Sequence, residues 1–220
     1  VTLGIAPYKG YPQFSSPPAL ASALQNAGVD VLVTANNHSC DRSEKGIVRT
    51  LDILDSLKID HTGTFRNTEE RQKYQPLILE KNGIRVAILN YTYGTNGIPV
   101  PSPTIVNLID KKNILTDIEQ AKKGYVDKII VFMHWGLEYQ HNPSDEQQEL
   151  YQFCIENGAD IVIGSHPHVI QRMEKNEDGF IAYSLGNFVS NQRKQFTDGG
   201  TILHLELSKT NNHTWVSDAN

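Results

Sequence analysis

Three apolar runs in this chain each end in histidine. Val31-Leu32-Val33-Thr34-Ala35 leads into Asn36-Asn37-His38, Ile129-Ile130-Val131-Phe132-Met133 into His134-Trp135-Gly136, and Ile161-Val162-Ile163-Gly164 into Ser165-His166-Pro167-His168. Apolar runs without polar alternation predict strands buried on both faces, the habit of parallel sheets. The strands are expected over residues 29–34, 128–133 and 160–163. Between them the apolar spacing turns helical. Ile47, Leu51, Leu54 and Leu57 follow a candidate N-cap at Ser43, and Ile114, Leu115, Ile118 and Ala121 fall on one face of residues 113–123. An earlier helix is expected from a cap at Ser15 or Ser16, with Pro17 and Pro18 in its first turn and Gly28 beyond its end. Another starts at Ser144, with Asp145, Glu146 and Glu149 near its positive end, and stops at Gly158.

Shorter signals fill the gaps. Asn82-Gly83 between apolar runs at 77–80 and 84–91 predicts a hairpin. Residues 92–107 carry Pro99, Pro101 and Pro103 and read as a long loop, of the kind that often binds ligands. After His168 the helical spacing disappears, and strands are expected over 169–174, 180–184 and 201–207. Alternating strands and helices followed by a more antiparallel tail give an α/β class with two sheets.

Ligands of an open parallel sheet bind beyond the carboxyl ends of its strands. If the three histidine-ended strands are neighbours, His38, His134, His166 and His168 share one rim. Pro167 biases His166 toward extended backbone, where side chains two positions apart face the same way.

Composition narrows the classes. A chain of 220 residues with 39% hydrophobic and 20% charged residues can bury one substantial core, so a single domain over 1–220 is expected. A formal charge of -5 leaves no basic footprint for nucleic acid. No apolar run approaches the roughly 20 residues that span a bilayer. Two cysteines, Cys40 and Cys154, make no disulfide framework and read as small buried hydrophobes.

Imidazole suits manganese, iron, zinc and copper, and a donor set without thiolates argues against a closed structural zinc site. Paired-metal hydrolytic sites also need a carboxylate. Of Asp41, Glu138 and Asp160, Glu138 is best placed, four residues after His134 and past the strand end. Asp160 opens its strand, at the wrong end.

Taken together, five motifs in order carry a resemblance. They are Ala35-Asn36-Asn37-His38 with Asp41 and Gly46, and Gly63 with Arg66-Asn67. His134-Trp135-Gly136 with Glu138-Tyr139 follows, then Gly158-Ala159-Asp160 through Gly164-Ser165-His166-Pro167-His168, then Tyr183-Ser184-Leu185-Gly186-Asn187-Phe188. The sequence resembles the CapA/PgsA-type poly-gamma-glutamate capsule biosynthesis family, a branch of the calcineurin-like metallophosphoesterases. The resemblance implies a layered α/β/β/α sandwich. It also implies metal ligation by Asn37, His134, His166 and His168, and a catalytic His38 at the substrate's phosphate-like group. Glu138, Arg66 and Asn187 become candidates for substrate contact. Two divalent ions (manganese, iron or zinc) are implied in the complete protein, at an extracytoplasmic, membrane-anchored location alongside other capsule-synthesis membrane proteins.

The sequence departs from the family pattern in places. Ser43 stands where the family commonly has glycine, and Ser165 where many members have histidine. Residues 1–27 match neither opening acidic motif, so the domain is expected to be N-terminally incomplete, and an unpaired sheet edge would favour a homo-oligomer. Two functions follow as expectations. One is a metal-dependent hydrolase acting on a phosphoester or amide-linked polymer. The other is a non-catalytic surface protein that binds or guides an anionic polymer.

Overall fold

Short strands and amphipathic helices alternate over most of the chain, as the apolar spacing predicts. The structure, a computed structural model, describes residues 2–175, 179–211 and 213–219. In chain order the elements are α1 (Ala19–Asn26), β1 (Val31–Val33), α2 (Ser43–Ser56), β2 (Asp60–Thr62), β3 (Thr64–Phe65), α3 (Thr68–Tyr74), β4 (Leu77–Lys81), β5 (Ile84–Thr92) and β6 (Ile105–Val106). They continue with α4 (Lys111–Lys123), β7 (Lys128–His134), α5 (Asp145–Glu156), β8 (Ile161–Ser165), β9 (Met173–Lys175), β10 (Phe180–Ala182), β11 (Leu205–Thr210) and β12 (His213–Ala219). The chain divides into two compact units, one of residues 1–77 with 90–109, the other of 78–89 with 110–220.

In the first unit β1 pairs with β2 in parallel, Val31 opposite Asp60 and Val33 opposite Thr62. The apolar stripe of α2 is core, as its spacing predicts. Ile47 and Leu51 pack with Ala35, Cys40 and Val106, and Leu54 packs with Leu3, Ala21 and Ile59. The loop after β5 closes on itself, because the Thr92 amide donates to Asn107 O (2.9 Å) and β6 pairs antiparallel with β3.

The second unit is built on a six-stranded sheet of order β4-β5-β7-β8-β10-β9, in which β4 and β5 each run a little past the unit's bounds. Strands β7 and β8 are parallel neighbours, with His134 opposite Ser165. The expected hairpin is present, with Asn82 and Gly83 both at positive φ, 54° and 76°. Trp135 is buried, donates its indole N–H to Tyr183 O (3.0 Å) and stacks on the Tyr183 ring. Gly164 lets this happen, since a methyl there would collide with the Tyr183 carbonyl and the Trp135 indole nitrogen.

Several expectations are corrected. The first strand is hydrogen-bonded in its own two-stranded sheet and is not a ladder neighbour of β7 and β8. The tail is more antiparallel, as expected, with β9 against β10 and β11 against β12, but β10 also joins β8 in parallel. Three buried residues are too few for periodicity to reveal this. Ser15 and Ser16 do not cap α1, being drawn into backbone bridges with Lys9 and Leu3, and Pro18 takes the cap position. Ser43 lies inside α2 at φ 54°, after an Arg42 cap without a side-chain bond. Helix α3 carries no buried residue, so it has no apolar stripe to read, although Asn67 caps it by accepting from the Glu70 amide (2.8 Å).

Candidate functional site

The parallel pairing of β7 with β8 brings three histidines together at the strand ends of the second unit. The His134 and His166 ring centroids are 4.9 Å apart, and those of His166 and His168 are 6.1 Å apart. They do not get there by extended backbone. Strand β8 stops at Ser165, and His166 and His168 take positive φ values of 101° and 62°. Left-handed backbone at two non-glycine residues costs energy and is characteristic of functional loops. The Pro167 carbonyl accepts from the Tyr139 amide at 2.7 Å, which fastens the turn to the loop after β7.

Hydrogen bonds orient two of these rings. Nδ1 of His134 lies 2.9 Å from Ser165 Oγ, and Nδ1 of His168 lies 2.8 Å from Asn187 Oδ1. Asn187 Oδ1 can only accept, so His168 donates from Nδ1 and keeps Nε2 as its lone-pair nitrogen, whereas the Ser165 hydroxyl orients His134 without choosing its tautomer. Glu138 Oε1 stands 3.9 Å from His168 Nε2. Below the loop, buried Gln147 completes a capping box with Ser144 and donates to Gln171 Oε1 (2.9 Å), while Gln171 donates to Gln140 O (2.9 Å). This relay holds the segment after His134, and no sequence motif announced it.

The first unit holds a separate constellation in the loop after β1. Asn36 and Ser39 fold the turn: the His38 amide donates to Asn36 Oδ1 (2.9 Å) and the Ser39 hydroxyl sits 2.9 Å from Thr34 O. His38 Nδ1 then meets Asp41 Oδ2 at 2.9 Å. The same oxygen accepts from the Phe14 amide (2.7 Å), and the Phe14 ring approaches the His38 ring edge-on at 4.6 Å. Asp41 Oδ1 is buried and has no hydrogen-bond partner among the described residues. Asn37 is buried and donates to Asn96 Oδ1 (3.2 Å). Asp41, weighed in the sequence only as a carboxylate for metal, is the residue that orients His38. The contributions of Asn96 and Phe14 have no sequence signal.

Arg66 is differently employed. Its guanidinium bonds Asp52 (2.7 Å), Asp55 (2.5 Å) and Glu70, joining α2 to α3. Burial would raise the Asp55 carboxyl, but hydrogen bonds from His61 and Arg66 hold it below the usual range. The cysteines behave as buried hydrophobes. Burial and the nearby Asp41 charge raise the Cys40 thiol, and burial pushes Cys154 up to about 12.

Among the described residues, no three His, Cys, Asp or Glu side chains are grouped to hold one metal ion together. The donor chemistry in the second unit still suits a divalent transition metal, with imidazole nitrogens whose far sides are tied back and a carboxylate beside them.

The model of the family described as bacterial capsule synthesis protein PGA_cap matches residues 1–192. The chain belongs to that family. It is 35% identical over 192 residues to the capsule biosynthesis protein CapA of Bacillus anthracis, covering 84% of this chain and 46% of that protein. It is 32% identical over 191 residues to the PGA biosynthesis protein CapA of Bacillus subtilis (strain 168), covering 84% of this chain and 49% of that one. The chain thus spans about half the length of the curated relatives it matches. Among solved structures, Haemophilus influenzae NAD nucleotidase (NadN) superposes with a TM-score of 0.56 at 16% identity, over 92% of this chain and 36% of that one. The likeness establishes a fold of calcineurin-like phosphoesterase type. The family read from the five motifs is therefore borne out, as is the α/β metallophosphoesterase class.

Proposed function

We propose that this PGA_cap chain carries the core of a divalent-metal-dependent hydrolase that acts, outside the cytoplasm, on a phosphoester or an amide-linked anionic polymer during capsule assembly. The observation that carries the reading is the gathering of His134, His166 and His168 at the ends of two paired parallel strands. These imidazoles are the proposed ligands of manganese, iron or zinc in the second unit, and Asn37 is proposed as an oxygen donor in the first. When bound, such ions supply Lewis acidity. Ser165 and Asn187 keep the ligand rings turned, and Glu138 stands beside His168 as a substrate-facing carboxylate. His38 is the proposed acid: Asp41 accepts from Nδ1–H, and in the imidazolium form the Nε2 proton can go to a leaving oxygen, which leaves the neutral ring protonated at Nδ1. Arg66 enters only as the anchor of the loop before α3, since three carboxylates already engage it.

The test is metal content together with turnover. Parent protein and His166→Ala are loaded with Mn²⁺ or Zn²⁺, desalted, analysed for bound metal, and assayed on phosphomonoester and phosphodiester panels. The parent retains metal and turns over a substrate, and the variant loses both. Equal, metal-independent turnover in the two proteins would remove the hydrolase reading.

The name of the Bacillus subtilis relative, a PGA biosynthesis protein, favours a second reading in which the chain binds an anionic polymer without cleaving it. Titration with poly-gamma-glutamate, with and without Mn²⁺, separates the two. Absence of binding under both conditions sinks the second.

A further inference from the structure

A loop of the second unit is laced to His168 and carries a cation toward it. Asn187 begins the lacing. Its Oδ1 meets His168 Nδ1 at 2.8 Å, and its Nδ2 donates to Thr197 O at 2.9 Å. Its backbone amide donates to Gly199 O at 3.1 Å, which closes residues 187–199 into a loop. Inside that loop Thr197 is buried, and both its amide (3.0 Å) and its hydroxyl (2.8 Å) bond Lys194 O. The backbone under Lys194 is therefore fixed relative to His168 by hydrogen bonds at each step.

The side chains repeat the connection in three tiers. The Tyr139 ring stacks on the His168 ring, with centroids 6.0 Å apart and planes at 23°. The Lys194 ammonium lies over the Tyr139 ring, 5.1 Å from its centroid. Tyr139 is 41% exposed, so burial of its ring does not explain the stack. Its positive φ of 66° is a conformation that bulky side chains rarely adopt. Among the described residues Lys194 has no carboxylate within ion-pair distance. Glu138 meets His168 at Nε2 on the ring edge, whereas Tyr139 covers a ring face.

We propose that Lys194, held over the Tyr139 ring by loop 187–199, is an anion-recognition point that takes a carboxylate or phosphate of the substrate one aromatic ring away from His168. The inference rests on the proposed function above and deepens it. An ammonium over an aromatic face keeps donors free for an oxyanion while the ring restricts its motion. The family match ends at residue 192, so Lys194 lies just beyond the matched residues.

The test uses the full chain loaded with Mn²⁺ and two probes. The carboxylate probe is a fluorescent oligo-gamma-glutamate, followed by anisotropy. The phosphate probe is bis(p-nitrophenyl) phosphate, followed by turnover. Lys194→Ala raises Kd or KM roughly threefold to tenfold for the probe that uses the site, with kcat little changed. Lys194→Glu raises it further, Lys194→Arg restores it, and the parent's affinity falls with added salt more steeply than that of Lys194→Ala. Whichever probe responds names the oxyanion. A parent that engages a probe while Lys194→Glu stays within twofold of it overturns this inference and leaves the function standing. A parent that engages neither probe overturns this inference, and the function then stands or falls on the metal and turnover test above.

Discussion

Asp41 gives one carboxylate oxygen to His38 and buries the other without a hydrogen-bond partner among the described residues. The 2.9 Å contact to Nδ1, reinforced by the Phe14 amide on the same oxygen, fixes which ring nitrogen carries the proton. Asp41→Asn keeps the size but removes the anion and can offer Nδ1 a donor instead of an acceptor. Under the proposed reaction it lowers kcat on the order of 10²–10⁴-fold, the range that positioned proton transfer supplies. Metal content stays at the parent value. A variant that loses metal and turnover together would move Asp41 from orienting His38 to binding the ion.

Ser165 offers a matching test on the second unit. Its hydroxyl is 2.9 Å from His134 Nδ1, across the β7–β8 ladder. Ser165→Ala removes this bond to the ring and is expected to weaken Mn²⁺ or Zn²⁺ binding about 10- to 100-fold, the usual effect of losing such a partner. Equilibrium dialysis reads it directly. Unchanged affinity would mean that His134 does not ligate.

Much of this was legible beforehand, for identifiable reasons. The strand-ended histidines at 134 and 166–168 were readable because apolar runs mark buried parallel strands, and because the partner strands lie close in sequence. The motif order carried the family. The mechanism offered for the His166–His168 pair was wrong, since both residues are left-handed rather than extended, and ring proximity came from the turn. The first strand's place in a separate sheet was hidden, because a three-residue strand says nothing of its neighbours. Asp41's bond to His38, the Gln147–Gln171 relay and the Lys194–Tyr139–His168 stack depend on contacts between loops. No periodicity records such contacts.

Gln147 tests whether the relay matters to folding. Its side chain accepts from the Ser144 amide (3.0 Å) and donates to buried Gln171 (2.9 Å). Gln147→Ala removes half a capping box and leaves Gln171 Oε1 without this donor. The expected loss is about 2–3 kcal/mol in urea unfolding, against about 1 kcal/mol for Ser144→Ala. Equal losses in the two variants would mean that only the cap counts.

Asp127 makes the β11–β12 hairpin sensitive to acid. Its carboxylate takes the Lys209 ammonium (2.8 Å), the Arg85 amide (2.8 Å) and the Thr214 hydroxyl (3.3 Å). The Lys209 contact, then the Arg85 amide, hold its acidity below the usual range. A depressed carboxyl stabilises the fold fully above its unfolded value, about 3.9. The contribution disappears as pH falls through the lower folded value. Hydrogen-exchange protection in Leu205–Thr210 and His213–Ala219, taken relative to the intrinsic rate at each pH, is therefore expected to fall below about pH 4. Trp215 lies on β12, so its fluorescence follows the same change. Asp127→Asn loosens the hairpin at neutral pH and loses the acid step. An unchanged acid step in that variant would assign it to another carboxylate.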